Sequence, residues 1–165
     1  MMKKILTVLL ALSLILPAGC GNKNAAVVNQ NVKTLVDGFQ QSMVTYFDIK
    51  NLQDNSVLSN QINDNLKKVE NSKKKLEQLS GLNENVSDEK LKAEVATFIN
   101  LGREREKLII KYLDDIRRDL DLKYKNPDAQ VNINKYIANV PNKLLDLEYQ
   151  SEQSTQRLAK LTAKK

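Results

Sequence analysis

From Val28 to Leu161 the apolar residues return at steps of three and four, and this spacing constrains the fold more than any other feature of the chain. Such steps put side chains on one face of an α-helix, whereas a half-buried strand needs strict alternation. The stripe is most regular at Ile137, Val140, Leu144, Leu147, Ser151, Ser154, Leu158 and Leu161, a heptad-type seam. Little in the composition would interrupt it: 165 residues contain 5 Gly, 3 Pro, no Trp and only 5% aromatics. The β-branched and aromatic vocabulary of sheets is thin, so the spacing and composition together predict an all-α fold. We expect an antiparallel three- or four-helix bundle of long amphipathic helices, four being preferred.

Reading along the chain, Val28, Val32, Leu35, Val36, Phe39, Met43, Tyr46 and Phe47 predict a first helix from about Ala26 to about Lys50. Asp54 or Asn55 can cap a second, carried by Val57, Leu58, Ile62, Leu66, Val69, Leu76 and Leu79, with Lys73 continuing the seam and Gly81 ending it. The triplet Lys73-Lys74-Lys75 reads as a solvated face that also complements the helix dipole. Ser87 is the expected N-cap of a third helix, with Asp88 and Glu89 in the first turn and Val86 able to staple to Leu91. It should run to about Tyr124, roughly 38 residues and nearly 60 Å. The last helix should begin after Pro127, with Pro141 either kinking it or starting a new one. Whether the first two helices pack side by side or end to end stays open at this level.

The first residues follow a different pattern. Lys3 and Lys4 precede an apolar run, Ile5 to Leu16, interrupted only by Thr7 and Ser13 and followed by Pro17-Ala18-Gly19-Cys20. A run of about twelve residues falls short of the roughly twenty that cross a bilayer, so residues 1–19 read as an export signal rather than a membrane span. Cys20 is the only cysteine, and an exported chain with one cysteine can form no internal disulfide. Leu16-Pro17-Ala18-Gly19-Cys20 resembles the lipobox of bacterial lipoproteins, a short apolar and small-residue motif ending in cysteine. The resemblance covers about twenty residues. It implies a diacylglyceryl group on the Cys20 thiol and cleavage between Gly19 and Cys20, with the chain lipid-anchored on the extracytoplasmic face of a bacterial membrane. The domain division that follows is a signal peptide at 1–19, lipidated Cys20 and a polar tether at 20–26, and a helical bundle at 27–163.

Removing residues 1–19 takes the chain from 165 residues to 146 and, with Lys3 and Lys4 gone, the net charge from +6 to +4. This excess suits loose attraction to anionic headgroups or wall polymers and is too dispersed to argue for nucleic acid. The absence of histidine removes the commonest general base and metal ligand, and with it Ser-His, Cys-His and Glu-x-x-His chemistry. No phosphate loop, calcium loop or nucleophile elbow is present, and the acids are interleaved with bases. We therefore expect no enzyme, no metal and no cofactor.

Two places in the seams carry polar groups where apolar ones belong. Gly102-Arg103-Glu104-Arg105-Glu106-Lys107 interrupts the third helix. It reads either as a buried or ligand-contacting polar layer, with Gly102 allowing close helix approach, or as a solvent-facing stretch in which Glu104 pairs with Lys107. Arg105 lies nearest the inward positions. Ser151 and Ser154 are the second place, where small hydroxyls weaken the core or leave room for a ligand. The functional expectation is a non-catalytic binding or scaffolding lipoprotein acting on another envelope protein or cell-wall polymer. A small-molecule sensor or solute-binding bundle, with its ligand near Gly102, Arg105, Ser151 and Ser154, is the alternative. A carboxylate-based cell-wall hydrolase would need two acids facing one cleft.

Overall fold

Helix formation follows the apolar stripe through residues 21–163, the part of the chain that the structure, a computed structural model, describes. The signal segment, with Gly19 and Cys20, lies outside the described residues. The elements are α1 (Gly21–Ser42), α2 (Tyr46–Lys50), α3 (Leu58–Asn83), α4 (Glu89–Lys125), α5 (Asn134–Ala138) and α6 (Asn142–Thr162), with no strand among the described residues. The four long helices close a ring in which α1 packs on α3, α3 on α4, α4 on α6 and α6 back on α1. Pairs such as Ser72 with Glu106 across α3/α4, and Glu94 with Arg157 and Arg105 with Glu148 across α4/α6, run in opposite senses. Thus successive long helices are antiparallel, the up-down-up-down arrangement. Helices one and two of the sequence reading pack side by side.

The expected first helix is two elements. α1 ends at Ser42, and Met43, Val44 and Thr45 leave the helix before α2 begins at Tyr46. Thr45 is extended and caps α2 in a full capping box: its hydroxyl accepts from the Asp48 amide, and the Asp48 carboxylate accepts from the Thr45 amide. Thr45-Tyr46-Phe47-Asp48 was the legible signal for this break. At the other end α1 begins at Gly21, so the stretch 21–26 expected as a tether is helical. Ala25 and Ala26, strong helix formers, favour that extension.

Other boundaries shift for equally local reasons. Asn55 Oδ1 accepts the Val57 amide in a turn ahead of α3, which has no side-chain cap of its own. Gly81 does not end α3, which continues to Asn83; Gly81 is exposed with open space around it, so nothing there demands a stop. Asp88 rather than Ser87 caps α4, its Oδ1 accepting from the Lys90 and Leu91 amides. Pro141 starts a new helix rather than kinking an old one, because α5 ends at Ala138 and α6 opens at Asn142. Ser72, not Lys73, occupies the inward position of α3 between Val69 and Leu76.

With 37 residues α4 is about 55 Å long and outruns its neighbours. Its C-terminal part meets α5 and the 51–57 turn, the latter where Lys123 Nζ lies 3.9 Å from Asp54. The Tyr136 hydroxyl donates to Asp119 Oδ2 at 2.6 Å, and the Tyr136 ring meets Tyr112 edge to face at 6.0 Å. The core is continuous from Val32, Val36 and Phe39 through Leu76, Val95 and Phe98 to Ile109, Leu113 and Ile116, with Ile49, Leu58 and Ile133 closing the α2/α5 end. Each such side chain contributes about 1.5–3 kcal/mol when fully buried. The chain start of α1 and the α3–α4 turn lie at the opposite end. Among the described residues no helix is long and apolar enough to cross a membrane.

Candidate functional site

Halfway along the bundle the apolar core gives way to a polar layer. Arg105 and Glu106, adjacent on α4, are both buried, at 3% and 6% exposure: Arg105 faces α6, where Ser151 and Ser154 are also buried, and Glu106 faces α3. Of the charged run on α4, Arg103, Glu104 and Lys107 face solvent, whereas Gly102, Arg105 and Glu106 turn inward. Both sequence readings of this run therefore describe part of it. Glu104 approaches Lys143 of α6 at 3.8 Å rather than pairing with Lys107.

Gly102 supplies the close approach expected of it. A Cβ there would lie 2.8 and 2.9 Å from the two Leu76 methyls and 3.0 Å from Phe39 Cζ, so α3 and α1 fill the space that a side chain would take. Phe39 in turn meets Phe98 edge to face at 5.2 Å. Gly102 is thus a packing residue, closed off from any ligand by leucine and phenylalanine.

Arg105 points elsewhere. Its Nη2 lies 3.5 Å from Glu148 Oε1, and that same oxygen accepts the Tyr46 amide at the first turn of α2. Arg105 Nε is buried without a hydrogen-bond partner, as is the Ser151 hydroxyl one turn from Glu148. Burial pulls the guanidinium below the ordinary arginine value, while Glu148 and Glu106 hold it up. Burial likewise raises the Glu148 carboxyl, against the opposing pull of the Tyr46 amide and Arg105. Ser154 is satisfied: its hydroxyl donates to Glu94 Oε1 at 2.5 Å, and Arg157 Nε donates to the other oxygen at 2.9 Å. Those donors hold Glu94 below its usual range despite partial burial.

Glu106 lies on the other side of α4, against α3. The Ser72 hydroxyl is 2.8 Å from the Val69 carbonyl and 2.9 Å from Glu106 Oε1, two acceptors for one proton. Burial raises the Glu106 carboxyl, with Glu77 adding to it and Ser72, Lys73 and Arg103 opposing it. A protonated Glu106 can donate to Ser72 and leave the hydroxyl proton to Val69. An acid whose folded value is raised binds its proton more tightly when folded, so its ionisation costs stability as pH climbs. Accordingly Glu106→Gln should be more stable than the parent at neutral pH. The gap should narrow as pH falls from about 7 and close below about 3.5, under the unfolded value of about 4.3, where the parent acid is protonated in both states. Urea unfolding across that range measures it, and a pH-independent gap would contradict the assignment.

The site residues expected from sequence therefore divide. Arg105, Ser151 and Ser154 share the α4/α6 interface, Gly102 serves helix packing, and Gly19 and Cys20 lie outside the described residues. Ser72, Glu94 and Glu148 were not anticipated, and Glu106 only as a member of the run 102–107. Ser72 was legible, since it stands three after Val69 and four before Leu76; Glu94, Glu106 and Glu148 sit beside seam positions, and only the inter-helix pairing brings them in. The described residues contain no group of three or more acidic, cysteine or histidine side chains that could hold a metal ion. Comparison of the chain with protein-family models, with curated proteins and with solved structures finds no match in any of the three.

Proposed function

We propose that the chain is a bacterial lipoprotein, held on the extracytoplasmic face of the membrane through lipid on Cys20, that works as a non-catalytic binding or scaffolding bundle. The observation that supports this reading is a group of exposed apolar side chains at one end of the bundle. Helix α1, described from Gly21, the residue after Cys20, runs from there towards α2. At the far end Phe47, Val57, Leu122 and Tyr124 are exposed, at 68%, 44%, 50% and 89%. Beside Leu120 and Tyr124 is an open groove of about 680 Å³ flanked by Asp54, Asp121 and Lys123. An anchored bundle would hold this end away from the bilayer, where another envelope protein or a wall polymer can reach it. Apolar and aromatic groups ringed by charge are the usual make-up of a protein-binding surface.

Anchoring is tested by Cys20→Ala, or by globomycin, followed by membrane fractionation and mass measurement. The untreated parent should be membrane-bound and carry the mass of its lipid, and the variant should lose both. A variant that stays bound with unchanged mass would remove the lipoprotein reading. For the surface, a photo-crosslinking residue at Tyr124 should trap a reproducible envelope component, while one at exposed Gln156, on α6, should not.

A further inference from the structure

Between α1 and α6, at the break before α2, lies an open groove of about 340 Å³ lined by Gln40, Thr45, Arg105, Glu148, Glu152 and Thr155. We propose that it binds a small zwitterion, an α-amino carboxylate, through Arg105 at its floor and Glu152 at its rim. This inference is independent of the lipid anchor.

The floor is the unusual part. Arg105 reaches the groove from α4 with its side chain 3% exposed, and a guanidinium carries five N–H donors. A single ion-pair contact of 3.5 Å to Glu148 engages it, and Nε has no partner at all. A buried donor set this poorly matched is costly, and a carboxylate is the acceptor whose geometry suits it. Glu148 meets it through Oε1, an oxygen that also accepts the Tyr46 amide.

The rim points to the second charge. Glu148 and Glu152 stand one turn apart on α6, a like-charge spacing that a helix does not favour. Glu152 is exposed and has no ion-pair partner among the described residues. A plain anion approaching Arg105 would have to pass two carboxylates, and a plain cation would meet the guanidinium. A ligand with both charges on neighbouring atoms satisfies each. The side walls are already fixed: Gln40 Nε2 donates to Thr155 Oγ1 at 2.8 Å, and Thr155 Oγ1 donates to the Ser151 carbonyl at 2.9 Å.

Calorimetric titration of the full-length chain in mild detergent tests this, with hydrogen exchange followed at residues 40–45 and 148–155. L-alanine should bind saturably with Kd on the order of 1 mM and protect both segments, while acetate and methylammonium at equal concentration should do neither. Glu152→Gln, an exposed change that leaves the fold intact, should weaken L-alanine at least about tenfold by removing the ammonium partner. L-alanyl-L-alanine, whose charges lie farther apart, distinguishes the sources: binding weaker than L-alanine indicates a free amino acid, and tighter binding a peptide. Absence of saturable heat and protection with L-alanine would overturn the proposal. Acetate binding as well as L-alanine, or a Glu152→Gln variant that binds undiminished, would overturn it equally. The Cys20→Ala chain should bind L-alanine like the parent, so failure of the anchoring reading and failure of this one are separable.

Discussion

Arg105→Ala should cost the bundle about 3–5 kcal/mol, because it strands the Glu148 carboxylate at a helix interface with its cation gone. A domain of this size has roughly 5–15 kcal/mol in total, so the loss would lower the urea midpoint by about 2 M. Part of the cost comes from the apolar stem of Arg105, which is buried with its head group. The pair itself is not what stabilises the fold; desolvating two charges roughly offsets their attraction. The double variant Arg105→Met/Glu148→Gln should therefore recover most of the loss. Methionine restores the stem, and the glutamine oxygen still accepts the Tyr46 amide, which Glu148→Leu would leave unpaired. The double variant should be folded and yet fail to bind L-alanine, separating structure from recognition. A double variant as unstable as Arg105→Ala would mean that the ion pair contributes net stability after all.

Much of the bundle is legible in the spacing of apolar residues alone, since four seams with short connections admit few other folds. The α6 seam illustrates this: Leu144, Leu147, Ser151, Ser154 and Leu158 are buried as their spacing requires and Leu161 is partly so, whereas Ile137 and Val140 lie ahead of the helix. Periodicity reads faces and not ends. It carries the first helix through Met43 to Tyr46 and Phe47 because those steps are helical, although Thr45 and Asp48 encode a stop and restart. It also stopped α3 at Gly81, where glycine is merely tolerated.

The polar layer was half legible for a related reason. An inward arginine announces itself against an apolar seam, and so do two inward serines. Their partners do not, because Glu94 and Glu148 gain meaning only when antiparallel packing sets residue 94 beside 154 and 105 beside 148. Register between helices is a property of the whole core, and no single helix states it. The same register decides that Ser154 is satisfied whereas Ser151, three residues earlier, is not.

Leu76→Ala should cost about 2–5 kcal/mol, and it should also reverse the sign of a second substitution. In the parent, Gly102→Ala brings a methyl to 2.8 and 2.9 Å from the Leu76 side chain and 3.0 Å from Phe39. Alanine gains about 1 kcal/mol of helix propensity over glycine, against an overpacking penalty of about 1–3 kcal/mol. The penalty wins here because neither neighbour has room to give: Leu76 is 1% exposed and Phe39, fully buried, is wedged edge-on against Phe98. Truncating Leu76 removes the two nearest methyls and leaves a cavity into which the Phe39 ring can shift by the few tenths of an ångström that the new methyl needs. Gly102→Ala should then stabilise the Leu76→Ala chain through propensity and cavity filling together. Four urea curves complete the cycle, with a coupling energy of at least about 1 kcal/mol expected for side chains in direct contact. If Gly102→Ala is destabilising by the same amount in both backgrounds, close approach of α3 is not the reason for a glycine at position 102.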